Sequence, residues 1–233
     1  MKLLVMSGGR HPYEESTPIL EGFLEGAGHD VTIMEDASIL ADAEGMNTYD
    51  ALVFNTRREN LPDFGDWELA ASEKEGLKSY IRGGKGFVCI HIACCVPSGW
   101  AEFGEVTGGG WVTGTSYHPP YGEMAVNVSN AGHAGAAGVS DFVTSDELYM
   151  NTTFQEEGND VFLTGDAEGG TWPWGPDRAP TFMPGGTYPL GWTRSYGDGK
   201  VFVLLLGHDG RSFETPEFQQ IVLNGVAWAG AAN

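Results

Sequence analysis

Hydrophobic positions in the first half of the chain fall into short apolar runs separated by amphipathic stretches, the pattern of βαβ units feeding a parallel sheet. Lys2–Ser7 predicts the first strand. After Gly8-Gly9-Arg10-His11-Pro12, Ser16-Thr17-Pro18 supplies a cap and an early proline, and Ile19, Leu20, Phe23 and Leu24 share one helical face until Gly26 and Gly28 end it. Val31–Met34 and Ala51–Phe54 predict the second and third strands. A helix from about Asp66 to Arg82 follows, stopped by Gly83-Gly84. Gly86–Ile90 is then a continuous apolar run, as a strand covered on both faces requires.

From Gly108 to about Gly186 the texture changes to Gly-, Pro- and Trp-rich stretches with short strands such as Met124–Val128 and Val161–Leu163. This segment, 108–186, reads as a loop-rich insertion over a site within one domain spanning 1–233. Order returns with Leu190–Tyr196 and Val201–Leu206, joined by Gly197-Asp198-Gly199, a strong hairpin signal. Thr215-Pro216 opens a last helix whose Phe218, Ile221, Val222 and Val226 face the core.

Composition narrows the function classes. The 233 residues carry 32 acidic against 12 basic side chains, a formal charge of −20, so the surface repels phosphate backbones and anionic lipids, and nucleic acid is not an expected partner. No stretch approaches the roughly 18 uninterrupted apolar residues of a membrane-spanning helix, and the opening apolar run is too short for a signal peptide. A cytoplasmic protein is expected, with a homodimer as the default assembly. Cys89, Cys94 and Cys95 cluster at one strand end and do not form a disulfide framework.

The chemistry concentrates at predicted strand ends. In Cys89-Ile90-His91-Ile92-Ala93, small residues stand two before and two after His91, as a sharp strand-to-helix elbow needs. A helix N-terminus there would help keep His91 neutral, as a base or a metal ligand requires. His208, in Leu206-Gly207-His208-Asp209-Gly210, follows another apolar strand, and Asp209 is placed to orient an imidazole or to cap the local backbone. His11 follows the first strand, and Arg57 or Arg58 the third, one of the pair being only a surface residue. Such ends converge on one crevice in an open α/β sheet. Within the insertion, His118 in Tyr117-His118-Pro119-Pro120 and Glu147 in Asp146-Glu147-Leu148-Tyr149 are candidates for acid/base work or ligation. His29 and His133 read as structural. No compact ligand motif of the HxH or HExxH kind is present, so a divalent metal, if bound, would be held by dispersed groups, with His91, His118, Glu147 and His208 as candidate ligands. No cofactor is otherwise indicated.

Together these motifs resemble the ThuA-like, or trehalose-utilisation, family over essentially the whole chain. The resemblance is carried by Ser7-Gly8-Gly9-Arg10-His11, Gly86–His91, Gly108-Gly109-Gly110 with His118, Asp146–Tyr149, Leu190–Thr193 and Leu206–Asp209. It implies a three-layer α/β/α domain with a flavodoxin-like parallel sheet, similar to class I glutamine amidotransferases, in which His91 replaces the elbow cysteine and His208 stands at the catalytic histidine. It further implies action on 3-keto disaccharides or glucosides made by a partner sugar 3-dehydrogenase. In that scheme His91, His208 and Glu147 are catalytic, His11, Arg57, His118 and Asp209 touch the carbohydrate, and Trp192 is a ring-stacking wall. Cys89, where the family often has glycine, and Cys94-Cys95 depart from the pattern. Two alternatives stand beside this: a cysteine-dependent amidase or hydrolase using Cys94 or Cys95, and a non-catalytic sugar-binding or regulatory module.

Overall fold

A computed structural model describes residues 1–61, 63, 65–173 and 179–231 of the chain. Its main sheet contains β1 (Lys2–Gly8), β2 (Asp30–Met34), β3 (Ala51–Thr56), β4 (Gly86–Ile90), β5 (Gly122–Val128), β6 (Phe142–Asp146), β7 (Asp160–Ala167), β8 (Gly186–Tyr196) and β9 (Gly199–Leu204). The spatial order is β2-β1-β3-β4-β9-β8-β7-β5-β6. The first five of these run parallel, and β8, β7, β5 and β6 continue the sheet antiparallel.

Every residue of β3 and β4 is buried, which explains their unbroken apolar runs. Helices α1 (Tyr13–Gly26), α2 (Ala71–Arg82), α3 (Gly210–Glu214) and α4 (Pro216–Gly230) supply the cover. On β9, a Cβ at Gly199 would lie 1.9 Å from the carbonyl oxygen of Ile81 in α2, whereas the Phe202 ring lies 2.6 Å from where a Cβ on Gly225 of α4 would stand. An odd spacing along a strand reverses the face. Helices α2 and α4 therefore sandwich the sheet, completing the three-layer α/β/α arrangement.

Three boundaries differ from the sequence pattern. Helix α1 begins at Tyr13 because the Pro12 carbonyl already accepts the Glu15 and Ser16 amides at 3.1 and 3.2 Å. Ser16 and Thr17, freed from capping, instead accept from Asn55 Nδ2 at 3.1 and 3.2 Å, tying α1 to β3. Helix α2 starts at Ala71 and not near Asp66, because the Glu73 carboxylate accepts the Ala70 amide at 2.7 Å and Gly65–Asp66 pairs with Asn60–Leu61. The 108–186 segment is more than loops: β5, β6 and β7 lengthen the sheet. The short strands expected at Met124–Val128 and Val161–Leu163 are β5 and β7, and β6, which was not expected, alternates buried and exposed positions as an antiparallel strand allows and so carries no apolar run. Residues 174–178 of that segment lie outside the described residues.

Trp192 is not the expected sugar wall. Trp192 is 0% exposed, its Nε1 donates to the Thr107 carbonyl at 2.8 Å, and it meets Phe154 edge-on at 5.3 Å. A buried indole needs such a partner for its N–H, and this one is part of the core. Replacing Trp192 by Ala is expected to cost about 3–5 kcal/mol in urea unfolding. A loss within the ~0.5 kcal/mol scatter of surface substitutions would contradict the placement.

Candidate functional site

Parallel strands bring their carboxyl ends to one edge, and four of the five deliver a candidate residue there. β1 ends in the Gly8-Gly9 turn before His11, and a Cβ on Gly9 (φ 102°) would lie 2.5 Å from the Arg57 carbonyl oxygen beyond β3, so the two loops touch only because glycine is present. β4 runs directly into His91. Beyond β9, Gly207 (φ 121°) leaves no room for a Cβ against Ile90 and turns the chain toward His208.

His91 adopts φ 52°, one of two non-glycine residues in the left-handed region among those described. Such strain at a strand end is the geometry of an elbow. The elbow leads into a single 3₁₀ turn, His91–Cys94, not the expected helix. Nδ1 donates to the Leu205 carbonyl at 2.8 Å, and Nε2 meets the Tyr149 hydroxyl at 2.5 Å, which together fix the orientation of the ring. At 1% exposure His91 lies beneath the cavity floor, behind Tyr149.

The rings of His11, His91 and His208 gather with centroids 5.1, 5.0 and 5.5 Å apart. Glu147 stands among them. Its Oε2 is 3.5 Å from His91 Nε2 and 3.2 Å from His208 Nδ1, and its Oε1 is 3.2 Å from His118 Nε2. Burial alone would raise the Glu147 pKa, but His208, His91 and His118 outweigh it and hold the carboxyl well below the usual carboxylate range. Burial works against a charged His208 and is likewise outweighed by Glu147, with Asp146 and Asp209 behind it, so the His208 pKa is raised. His11 goes the other way. Burial and the neighbouring His91 and His208 push its pKa down to about 2. Burial also lowers His118.

One buried carboxylate fixes this arrangement. Asp146 accepts the Glu147 amide at 2.8 Å with Oδ1 and the Gly207 amide at 2.7 Å with Oδ2, joining the segment that carries Glu147 to the one that carries His208. These residues open on a cavity of about 780 Å³ whose lining includes His11, Arg57, Trp111, His118, Glu147, Tyr149 and His208. That size lies within the range of small-molecule sites.

Arg57 reaches the cavity already paired. Its Nε and Nη2 donate to Glu59 Oε2 at 3.1 and 2.7 Å, and Nη2 also donates to Thr113 at 2.9 Å. Arg58 is the structural member of the pair, donating to the Ser7 and Glu35 carbonyls and lying over Trp67. Asp209, expected at the substrate, is not in the cavity lining. It caps α3 through the Arg211 amide at 2.9 Å, pairs with the Arg211 guanidinium, and accepts the Tyr121 hydroxyl at 3.0 Å. His133 caps the Ala134–Ala136 turn and stacks on Phe162, a structural role.

Among the lining residues that the sequence did not single out are two large aromatics, Tyr149 and Trp111. Tyr149 was legible in principle, since Glu147 and Tyr149, two apart, share the cavity side while Asp146 and Leu148 line the far side. The Trp111 ring meets that of Tyr149 at 4.6 Å between centroids, tilted by 53°, and only the glycine run before it marked a close-packed approach.

One donor atom from each of His11, His91, Glu147 and His208 lies within 4.8 Å of the others, so these four are the candidate metal ligands. His11 replaces His118 in the expected set, since His118 meets Glu147 from the cavity side. His11 Nε2 is buried without a hydrogen-bond partner, while its Nδ1 engages the Arg10 carbonyl. A nitrogen lone pair left open among imidazoles and a carboxylate suits a divalent cation.

Among the described residues no helix is long and apolar enough to cross a membrane. No curated protein matches the chain. Among solved structures it is similar to a ThuA-like protein from Parabacteroides merdae, with TM-score 0.76 and 20% identity over 99% of this chain and 89% of that one. A ThuA-like protein from Bacteroides uniformis gives TM-score 0.70 and 18% identity, covering 98% and 91%. A cytoplasmic protein from Salmonella typhimurium gives TM-score 0.62 and 15% identity, covering 98% of each chain. At these identities the likeness carries the fold alone. The ThuA family, described as trehalose utilisation, matches residues 2–229, and the chain belongs to it, which gives the protein a carbohydrate-related role.

Proposed function

We propose that the histidine cavity cleaves 3-keto disaccharides or glucosides by acid/base chemistry. The observation that carries this reading is the pairing of Glu147 with His208 at 3.2 Å beside a second pair, Tyr149 with His91. A ketone at C3 acidifies the C2 proton. Removal of that proton and departure of the C1 glycosidic oxygen leave a C1=C2 double bond conjugated to the ketone. Water then adds its oxygen to C1 and a proton to C2. The proton taken from C2 is matched by the one that the departing oxygen needs, so elimination is neutral overall.

The chain offers a group for each transfer. His208, whose Nδ1 lies 3.2 Å from Glu147 Oε2, presents Nε2 as the base toward C2. The Tyr149 phenol keeps its proton because burial, then Glu147 and Asp146, raise its pKa well above the ordinary value. Its hydroxyl turns from His91 to give that proton to the leaving oxygen, and it regains one from the water that adds at C1, while His208 returns its proton to C2. A sugar 3-dehydrogenase is the partner reaction that supplies the ketone.

A second reading is favoured by the unpartnered Nε2 of His11. In it, His11, His91, Glu147 and His208 hold a divalent cation, which would polarise the C3 ketone. Proton transfer then falls to His118 on the cavity wall.

The cysteine-dependent alternative meets a chemical obstacle. Cys94 and Cys95 are buried, neither lines the cavity, and Cys95 donates to Glu59 at 3.5 Å. Burial, with Glu59 next, pushes the Cys95 thiol up to about 12, so little thiolate exists at neutral pH.

Incubation of the purified protein with 3-keto-trehalose is expected to release glucose, with His208→Ala and Glu147→Gln each lowering kcat by about 10²–10⁴-fold. Release abolished by a chelator and restored by a divalent cation selects the second reading. Absence of release under every metal supplement overturns both and leaves a binding module. Iodoacetamide at neutral pH is expected to leave all three cysteines of the native protein unmodified and to label them in urea, whereas rapid native labelling of Cys95 with loss of activity revives the thiol reading.

A further inference from the structure

The cavity wall holds an ion pair that the proton transfers leave unused. Arg57 and Glu59, two apart beyond β3, are each 8% exposed, and Arg57 lines the same cavity as Glu147, Tyr149 and His208. Glu59 gathers its donors on one oxygen. Oε2 accepts Arg57 Nε at 3.1 Å and Nη2 at 2.7 Å, the Thr113 hydroxyl at 2.9 Å and the Cys95 thiol at 3.5 Å. Thr113 also accepts from Arg57 Nη2 at 2.9 Å, so the guanidinium is fixed from two sides.

A guanidinium carries five N–H donors. Three are engaged, one on Nε and two on Nη2, whereas Nη1 makes no hydrogen bond among the described residues and keeps both of its hydrogens. A carboxylate is gripped by parallel N–H groups on two nitrogens. Either edge of a guanidinium that could do so includes Nη2, whose hydrogens are taken, so Arg57 is left with one nitrogen for one oxygen. Since Arg57 and Glu59 cancel in charge, the pair attracts no anion at rest and acts where negative charge develops in front of Nη1. That charge also reaches the proton donor: burial, then Glu147 and Asp146, raise the Tyr149 pKa, and Arg57 opposes them.

We infer that Arg57 Nη1 is the donor to the C3 oxygen of the keto sugar, a catalytic residue of the cleavage, and that Glu59 is its positioning residue. The inference rests on the proposed cleavage in its metal-free form, which otherwise has no group at the ketone. As His208 takes the C2 proton, the C2–H electron pair forms a C2=C3 bond and the carbonyl pair moves onto the C3 oxygen. When the C1–O bond breaks, that pair restores the carbonyl, and the C2=C3 pair becomes the C1=C2 bond. Arg57 keeps its protons throughout. A ketone oxygen only accepts, which suits two hydrogens on one nitrogen, whereas the hydroxyl of the parent sugar must also place a hydrogen of its own.

Arg57→Lys keeps the pair with Glu59 but commits its one nitrogen to it, so it tests the donor without leaving a buried charge alone. With 3-keto-trehalose it is expected to lower kcat about 10²–10³-fold, with KM within about threefold. A kcat within about twofold of wild type overturns the donor. Guanidinium chloride, far below denaturing concentrations, is expected to raise the kcat of Arg57→Ala about tenfold, the scale of one charge-assisted contact, and to do nothing for Arg57→Ala/Glu59→Ala, which lacks the anchor. No rescue of the single variant, or equal rescue of both, overturns the positioning by Glu59. If the wild-type protein releases no glucose, calorimetric binding decides. Tighter binding of 3-keto-trehalose than of trehalose, with the preference lost in Arg57→Lys, supports the ketone donor although the cleavage has failed. Equal binding of the two by wild type, or a preference that survives the substitution, removes the donor as well.

Discussion

The site depends on a buried carboxylate whose two oxygens each accept a backbone amide. Asp146 receives the backbone amides of Glu147 and Gly207, and so fastens the segment after β6 to the turn after β9. Burial opposes its charge and raises its pKa, while the facing His91 and the two amides offset part of that cost. A buried charge is tolerated when it is this fully bonded. The consequence is geometric: Glu147 and His208, far apart in sequence, are held at contact distance without either spending its side chain on the backbone. The strain at His91 belongs to the same design, since a left-handed turn at the end of β4 sets its ring between the Leu205 carbonyl and the Tyr149 hydroxyl.

Within this frame the protonation states diverge although the groups touch. Glu147 is held ionised, His208 is drawn toward the charged form by it, and His11, deeper and facing two other imidazoles, is driven neutral. Neighbouring titratable groups whose surroundings push them apart are the raw material of acid/base chemistry. That this happens in a protein of net charge −20 is informative. The diffuse negative surface acts at long range and is screened by salt, whereas the cluster is governed by contacts of about 3 Å among largely buried groups.

Much of the fold was legible because it obeys periodicity. The unbroken apolar runs at β1, β3 and β4 are what two covered faces demand, and the glycine turn between β8 and β9 marked its hairpin. The convergence of His11, His91 and His208 followed from strand direction alone. What could not be read was tertiary. Trp192 sits in a strand of the same motif that elsewhere supplies site residues, and nothing local says that its indole points into the core. Asp209 neighbours His208 but turns to cap α3, a choice set by Arg211 and Tyr121. Strand β6 was hidden because a half-exposed antiparallel strand carries polar residues on one side, and Ser16 and Thr17 resembled a helix cap because their true partner, Asn55, lies in another strand.

The central claim is that Glu147 sets the charge of the imidazole cluster, and imidazole-detected NMR titration of metal-free protein measures it directly. In the wild-type chain His208 is expected to titrate above the ordinary histidine value of about 6.5 and His11 far below it. In Glu147→Gln, with that carboxylate gone and only Asp146 and Asp209 left to oppose burial, His208 should titrate below its wild-type value. An unchanged His208 titration in that variant would contradict the account.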